Sequence, residues 1–520
     1  MSESKSLASQ IGKATAVIMI LSVADKILAI GKEMLTAHRF GIAASLDVFN
    51  VTQAFPGIMM LFFSGALVSA FVPLYLEWRN RCSPEEADSH ATWLIFLTTA
   101  FFAVLALITL SLSPIIFQFI GYGFGPKEKQ LSIVMGRLLS LLILIDGAGI
   151  LFRGILHARK MFLHLSVAPI FLNLMIIFFL YFDMGLDIYV LVWGFLIGTL
   201  LKTIYMGFAL RYEGFSFRTT MPFDRTKVST LWWLTLPLLG SELIANSNLL
   251  IDQVMATQLP AGSVSTLRYA FRINDLPIQV VIAAISRAIF PFISEEFIAG
   301  RRDNLQNIFK YSLIFVGFLT IPITCLMVLF SEDIVTLLLK RGAFDLDAAR
   351  QTAQTLACFS LGLFFYAYTF INGTFFVALQ KPKVLLYMGV VSIFLNIFFN
   401  FLFMHFFGVQ GIALSTSATM GIISIWFMFL LKKNLGITNL SQTFSSFSRL
   451  LLAAAGLFGT ALIIVTLFEF ASVSRLISVP VAAGVSSLCY LGIIWSFRTP
   501  DLDTCITVLT NKIKLWKKAR

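Results

Sequence analysis

Charge is scarce in this sequence. Only 13% of its 520 residues are Asp, Glu, Lys or Arg, against 58% that are hydrophobic. That balance excludes a soluble domain built around one core. Long polar stretches are missing too: non-spanning segments reach about twenty residues, too short for an ATPase domain. The five cysteines (Cys82, Cys325, Cys358, Cys489 and Cys505) never stand at CxxC spacing, which argues against a disulfide framework or zinc site. His38, His90, His157, His164 and His405 show no metal-ligand spacing, and no acid–base constellation appears, so the expectation is a non-enzyme without metal or cofactor. The glycine-rich stretch GYGFG (121–125) follows an apolar helix rather than a strand. It runs into PKEK rather than GK[ST], so it reads as an outer loop. The N-terminus MSESKSLASQIGKATAVIMIL has no small-residue cleavage site and continues into a full span, which reads as a retained first helix. The net charge of +12 does not point to nucleic acid, because the basic residues lie between apolar runs and at the C-terminus rather than in one patch.

What is present is apolar runs, with 53 Phe among them. A hydrocarbon core of ~30 Å asks for ~20 apolar residues per crossing. About fourteen such segments occur, at 14–35, 50–76, 92–119, 131–152, 163–183, 186–209, 231–255, 265–293, 309–330, 352–377, 386–406, 410–431, 449–469 and 475–497. Backbone groups in lipid must pair within their own segment, so these are helices; a β-barrel would alternate in short segments. The expected class is an all-α, multi-pass integral membrane protein. With the N-terminus in the cytoplasm, the inner loops carry Arg79 and Arg81; Arg153, Arg159 and Lys160; Arg211, Arg218, Arg225 and Lys227; Arg301 and Arg302; Lys381 and Lys383; and Lys432 and Lys433. Outer loops such as DMGLD and TQLPAGSV carry none, although Lys340, Arg341 and Arg350 break the pattern. The positive-inside rule then puts both termini in the cytoplasm.

The chain also repeats itself. IFLN stands at 170–173 and again at 393–396, an offset of 223 that also superposes Lys160 on Lys383. Pro56 and Pro277 are 221 apart, and Ala70 with Ala288 and Pro73 with Pro291 follow at 218. Such an offset covers six spans, so the two copies share orientation, as in transporters that hold substrate between parallel repeats. The expected organisation is an N-lobe at 1–212, a C-lobe at 213–435, two further helices at 436–500 and a basic tail at 501–520.

Inside the first span, LSVADKILAIGKEML carries Asp25, Lys26, Lys32 and Glu33. A charge at a helix centre costs ~2.5–3.5 kcal/mol on insertion scales. Lys26, near mid-span, therefore asks for a polar cavity or a partner, whereas Lys32 and Glu33 stand near the outer end, where snorkelling serves equally well. The eighth span adds Arg268, Arg272, Asp275 and Arg287. Arginine's fork suits phosphate, and Arg272 is placed to join Lys26 and Lys32 around an anion; a local pair with Asp275 is the alternative. Pro56, Pro73, Pro277 and Pro291 interrupt matching spans of the two copies and mark either a moving region or static kinks. Asp252 binds an ion or caps its loop, and Arg287 lies near the cytoplasmic end.

The stretches FGIAASLDVFNVTQAFP, GALVSAFVPLYLEW, GILHARKMFLHLSVAPIFLN, LPAGSVSTLRYAFRINDLPIQVVIAAISRAIFPFIS and LLLKRGAFDLDAARQTAQTLACFSLGL resemble the MurJ (MviN) family, lipid II flippases of the MOP superfamily, over roughly residues 10–435. The resemblance implies fourteen helices, a cytoplasmic N-terminus and a cationic cavity between lobes. It also implies export of the undecaprenyl-diphosphate-linked peptidoglycan precursor across the bacterial inner membrane, reset in part by membrane potential or a monovalent cation, alongside cell-wall synthesis machinery. Lys26 and Lys32 occupy positions where the family carries arginines, Arg272 matches its eighth-helix arginine, and Asp47 its first-outer-loop acid. Asp47, Asp252, Arg287, Pro56 and Pro277 are then gating or ion-related candidates. The family's arginine pair on the second helix is absent here, and FFVALQKPK replaces its FYA-x-x-D-x-x-x-P. The alternatives are a flippase for another polyprenyl-diphosphate glycan, such as an O-antigen type, a MATE-like exporter, and a non-transporting cell-wall scaffold.

Overall fold

The computed structural model describes residues 2–182, 185–222, 224–436, 441–471 and 474–497. The basic tail at 501–520, with Cys505, lies outside them. The described residues form helices joined by short loops. In order these are α1 (Ser2–Phe40), α2 (Ala44–Arg81), α3 (Pro84–Ser111), α4 (Ser113–Ile120), α5 (Pro126–Leu139), α6 (Leu141–Ala158), α7 (Phe162–Tyr181), α8 (Tyr189–Tyr212) and α9 (Arg225–Ala256). Then come α10 (Ser263–Pro277), a π-helical turn (Ile278–Ile282), α11 (Ala283–Ile298), α12 (Arg302–Leu329), α13 (Ser331–Leu339), α14 (Leu346–Leu361), α15 (Leu363–Ala378), α16 (Pro382–Leu435), α17 (Ser441–Phe470) and α18 (Arg475–Ser496).

Each of the fourteen apolar segments falls on helix to within a few residues. Among the described residues nine helices are long and apolar enough to cross a membrane, or eleven if each of two pairs bent by 43° is one span. Part of the difference is local: the π-turn divides the eighth segment, and α16 at 54 residues holds two segments at once. Gly408 separates those two with φ +57° and ψ −130°, a conformation open to glycine and strained for any side chain.

Helix ends follow local chemistry. Ser83 and Glu86 form a reciprocal capping box before α3, with Pro84 at the first helical position. Asp224 caps α9 by accepting from the backbone N–H groups of Thr226 and Lys227. The order of elements repeats. Paired helices break at Leu112 and again at Phe330, and at Ser140 and again at Gly362. Lys160 and Gln380 both close a helix in the left-handed conformation, with φ +60° and +57°. Each is followed by a six-to-one bond, Met161 N–H to Leu156 O and Lys381 N–H to Phe376 O, both 2.8 Å. These matching caps lie 220 residues apart, near the offset of the sequence repeat, and pair Lys160 with Gln380 rather than with Lys383.

By packing, the described residues form two compact units, one drawn from 1–265 with 339–345, the other from 266–338 with the described residues after 345. The repeat divides the chain at 212/213, but the first unit runs on to Ser265 because α9 packs along α2. The two helices come close at Gly65, where a Cβ would stand 2.6 Å from the carboxyl carbon of Glu242. Its core joins α2, α3, α6 and α8 around Phe71, Tyr75, Phe102, Ile150 and Leu210. Gly154 lets α6 approach Phe71, where a Cβ would stand 2.8 Å from the ring. In the second unit, α17 and α18 pair and α17 packs on α12, with Tyr490 donating to the Phe318 carbonyl at 3.0 Å.

Candidate functional site

The charges of α1 are organised rather than loose. Asn173 on α7 donates to Asp25 Oδ1 at 2.9 Å. Lys32 Nζ lies 3.5 Å from Glu33 Oε1 and 5.8 Å from the centroid of Phe195 on α8. Lys32 is largely covered and Lys26 is exposed. Glu33 is thus a local charge partner of Lys32, and Asp25 ties α1 to α7.

Asp47, in the first turn of α2, is 3% exposed. It accepts from Gly262 N–H at 2.6 Å, Ser265 N–H at 2.7 Å and Ser265 Oγ at 2.5 Å. Asn50, one turn on, donates to Ser265 Oγ at 3.2 Å. Gly262 reaches this geometry with φ +95°. The loop 259–265 is therefore latched onto the start of α2. Beside it lies a cavity of about 210 Å³ lined by Asp47, Gly123, Phe124, Glu128, Thr257 and Leu259, among others. The GYGFG stretch is indeed a helix-to-helix loop, and its Gly123 N–H donates to Thr257 Oγ1 at 3.2 Å. Asp252 is buried in the last turns of α9. The RGAF stretch belongs to this unit as well: Ala343 N–H donates to His38 O at 2.8 Å at the end of α1, and Phe344 is buried.

Two clusters in this unit went unnoticed in the sequence. At one, Asp88 takes Tyr75 Oη at 2.7 Å, Arg159 Nη2 at 2.7 and 2.8 Å, and Ser216 N–H at 3.0 Å. Burial works against the Arg159 charge, but its bonds to Asp88 and Tyr75 prevail and hold its pKa above arginine's ordinary value. At the other, Asp146 on α6 meets Lys202 on α8 at 2.5 Å and Arg153 on α6 at 3.6 Å. Arg153 Nη1 also donates to Ser64 on α2 at 2.5 Å. Arg153, assigned to a loop by sequence, is inside α6. The signal for the second cluster was a lone charge within an apolar run, as in LLILIDGAG and LIGTLLKTIYM; Asp88 and Arg159 stand in polar stretches, PEEADSHATW and HARKMF, that carry no such mark.

In the second unit, Arg272 on α10 and Arg287 on α11 are exposed, and Arg268 is half-buried. Asp275 accepts from Gln279 one turn on. Pro277 ends α10 and the helix widens into the π-turn directly after it, whereas α2 runs unbroken through Pro56 and Pro73. A helix absorbs one missing N–H by bending; at Pro277 the hydrogen-bond register itself shifts. Asn372, Asn396 and Asn400 are fully buried. Asn400 donates to Asn396 at 3.3 Å and accepts from Ser415. Asn173 and Asn396 are the asparagines of the two IFLN copies, and both lie in buried polar contacts. Among the described residues no group of three or more His, Cys, Asp or Glu side chains gathers as metal ligands.

A family profile described as "Lipid II flippase MurJ" matches residues 36–481. Curated relatives named "Probable lipid II flippase MurJ" include one from Borreliella burgdorferi, 28% identical over 81% of this chain and 83% of its own length. Another, from Treponema pallidum, is 24% identical over 82% of each chain. Among solved structures, one titled "Lipid II flippase MurJ, inward closed conformation" superposes with a TM-score of 0.79 at 22% identity, covering 93% of this chain and 98% of that one. An inward-facing MATE multidrug transporter of the MOP superfamily gives 0.69 at 13% identity, over 81% of this chain and 98% of that one. At such identities the solved structures establish the fold alone. Matched by its profile across most of its length, the chain belongs to the lipid II flippase MurJ family.

Proposed function

We propose that this multi-pass membrane protein is a flippase that moves lipid II, the undecaprenyl-diphosphate-linked peptidoglycan precursor, from the inner to the outer leaflet of a bacterial inner membrane by alternating access. The observation that carries the reading is the family match across residues 36–481. The in-span cations support it, because a diphosphate headgroup needs positive partners where water is excluded. Lys26, Lys32 and Arg272 hold the headgroup while the polyprenyl tail stays in lipid. Asp47 holds a gate at the start of α2, Asp252 and Arg287 serve gating or ion coupling, and Pro56 and Pro277 mark where the helices bend. Both termini face the cytoplasm, and the crossings number fourteen when α1, the α10–α11 pair and both halves of α16 are counted. Reorientation is biased by membrane potential, worth ~2.3 kcal/mol per charge per 100 mV, or by a monovalent cation. Cell-wall synthesis enzymes are the expected partners.

The test is replacement. A bacterium depleted of its own lipid II flippase and supplied with this protein should resume growth. Lysis despite normal membrane insertion would move the reading to another polyprenyl-diphosphate glycan, such as an O-antigen precursor. Lys26→Ala and Arg272→Ala should each abolish rescue at unchanged expression, and full rescue by either would remove that residue from the headgroup site.

A further inference from the structure

Within residues 21–35 of α1 the charges cancel: Asp25 and Glu33 stand against Lys26 and Lys32. The cluster on α6 and α8 does not cancel. Among the described residues Asp146 is the only carboxylate within ion-pair distance of either Arg153 or Lys202. One negative charge thus faces two positive ones. Glu242 on α9 approaches α2 at Gly65, next to Ser64.

Donor counting gives the same result. Ser64 and Asp146 engage two nitrogens of the Arg153 guanidinium, and Asp146 takes one N–H of the Lys202 ammonium. Among the described residues, most of the N–H donors on the two groups have no protein acceptor. Lys202 stands ten residues from the end of α8, ~15 Å along the helix axis, and Arg153 lies within the last turns of α6. Surplus charge and open donors at that depth are costly without an anion. The side chains are also held ready. Arg153 is tied to α2 through Ser64 and to its own helix through Asp146, which fixes the fork while leaving 29% of the side chain exposed.

We propose that Arg153 and Lys202, held in place by Asp146 and Ser64, form an anion site for the diphosphate of a polyprenyl-linked lipid. The identification of the lipid rests on the flippase reading. In the positive-inside orientation, the Arg153 end of α6 faces the cytoplasm, the leaflet in which such a headgroup is first met. The site is a docking station on the entry side, served by α2, α6 and α8. Arginine supplies a planar fork for two phosphate oxygens and lysine a point charge for a third. Asp146 sets the strength: it keeps the cations in place when the site is empty and limits how tightly the anion is held.

The full-length protein in nanodiscs of neutral phosphatidylcholine, titrated with farnesyl diphosphate, tests this. Arg153→Gln and Lys202→Gln should each weaken binding about tenfold. Asp146→Asn should tighten it severalfold, since it removes the competing negative charge. A purely structural ion cluster would give the opposite for Asp146→Asn, looser or unchanged binding with a lower Tm, and that result overturns the proposal. Arg153→Lys keeps charge and fold while losing the fork, and unaltered binding there also counts against it. Inorganic diphosphate should compete at least tenfold more weakly than farnesyl diphosphate, and nanodiscs containing phosphatidylglycerol should not block the site. Equal competition by the free anion, or block by phosphatidylglycerol, overturns the polyprenyl assignment. If host rescue fails but these binding shifts appear, the site stands and the cargo is a different polyprenyl diphosphate. If rescue succeeds and the shifts do not appear, this site alone falls.

Discussion

Single residues decide where polar groups survive inside this apolar chain. Asp88 is 2% exposed and satisfies Tyr75, Arg159 and Ser216 together. Asp88→Asn leaves the Arg159 guanidinium without its counter-charge, which costs about 3–5 kcal/mol in comparable buried pairs. Thermal unfolding in detergent should show a large drop in Tm, and a Tm within experimental error of wild type would contradict the role given to this node. Legibility at this scale was uneven. Lys26 and Lys32 stood out because a charge inside a span is rare, and Asp47 because its surroundings resemble a known family. Asp88 and Asp146 were passed over, because their meaning depends on partners far along the chain. Lys202 is 56 residues from Asp146, and Arg159 is 71 from Asp88. No local pattern links residues that meet only when helices pack.

At the scale of elements the sequence was far more transparent, since lipid demands apolar length and helical pairing from each segment by itself. The breaks were harder to read. One was legible: Gly408 breaks α16 between the segments 386–406 and 410–431 that the sequence separates, with Gln410 and Gly411 beside it. Gly408→Val should strain that turn by at least 1 kcal/mol and lower both yield and Tm. A variant of full stability would show that the turn lies elsewhere. The π-turn after Pro277 was visible only as a proline. At the start of α9, hydrogen bonds from Thr226, aided by the Lys227 charge, hold the Asp224 carboxyl below its ordinary pKa. A depressed carboxylate contributes its capping above its ordinary pKa and loses it as pH falls through the lowered value. Asp224→Ala should therefore fray the start of α9 by about 1 kcal/mol at neutral pH. The difference should fade under strongly acidic conditions. Hydrogen exchange at residues 225–228 measures it, and equal protection in both proteins at neutral pH would refute the cap.

For the whole molecule, the repeat is the organising fact, seen in IFLN, in the paired helix breaks and in the matching left-handed caps at Lys160 and Gln380. Packing divides the chain differently, assigning α9 to the first unit and the RGAF loop with it. Sequence periodicity reports duplication, not which copy a helix packs against, which is why the 212/213 boundary and the 265/266 boundary differ. A carrier whose cationic site moves through the bilayer should respond to potential, so translocation in energised vesicles should change when the potential is collapsed, and indifference to potential would remove that coupling. The most direct measurement of the central claim is leaflet exchange of lipid II in proteoliposomes containing only this protein. The account predicts that lipid II in the inner leaflet becomes accessible to a membrane-impermeant reagent far faster than in protein-free liposomes. Accessibility no faster than in protein-free liposomes, with the protein inserted and folded, would contradict it.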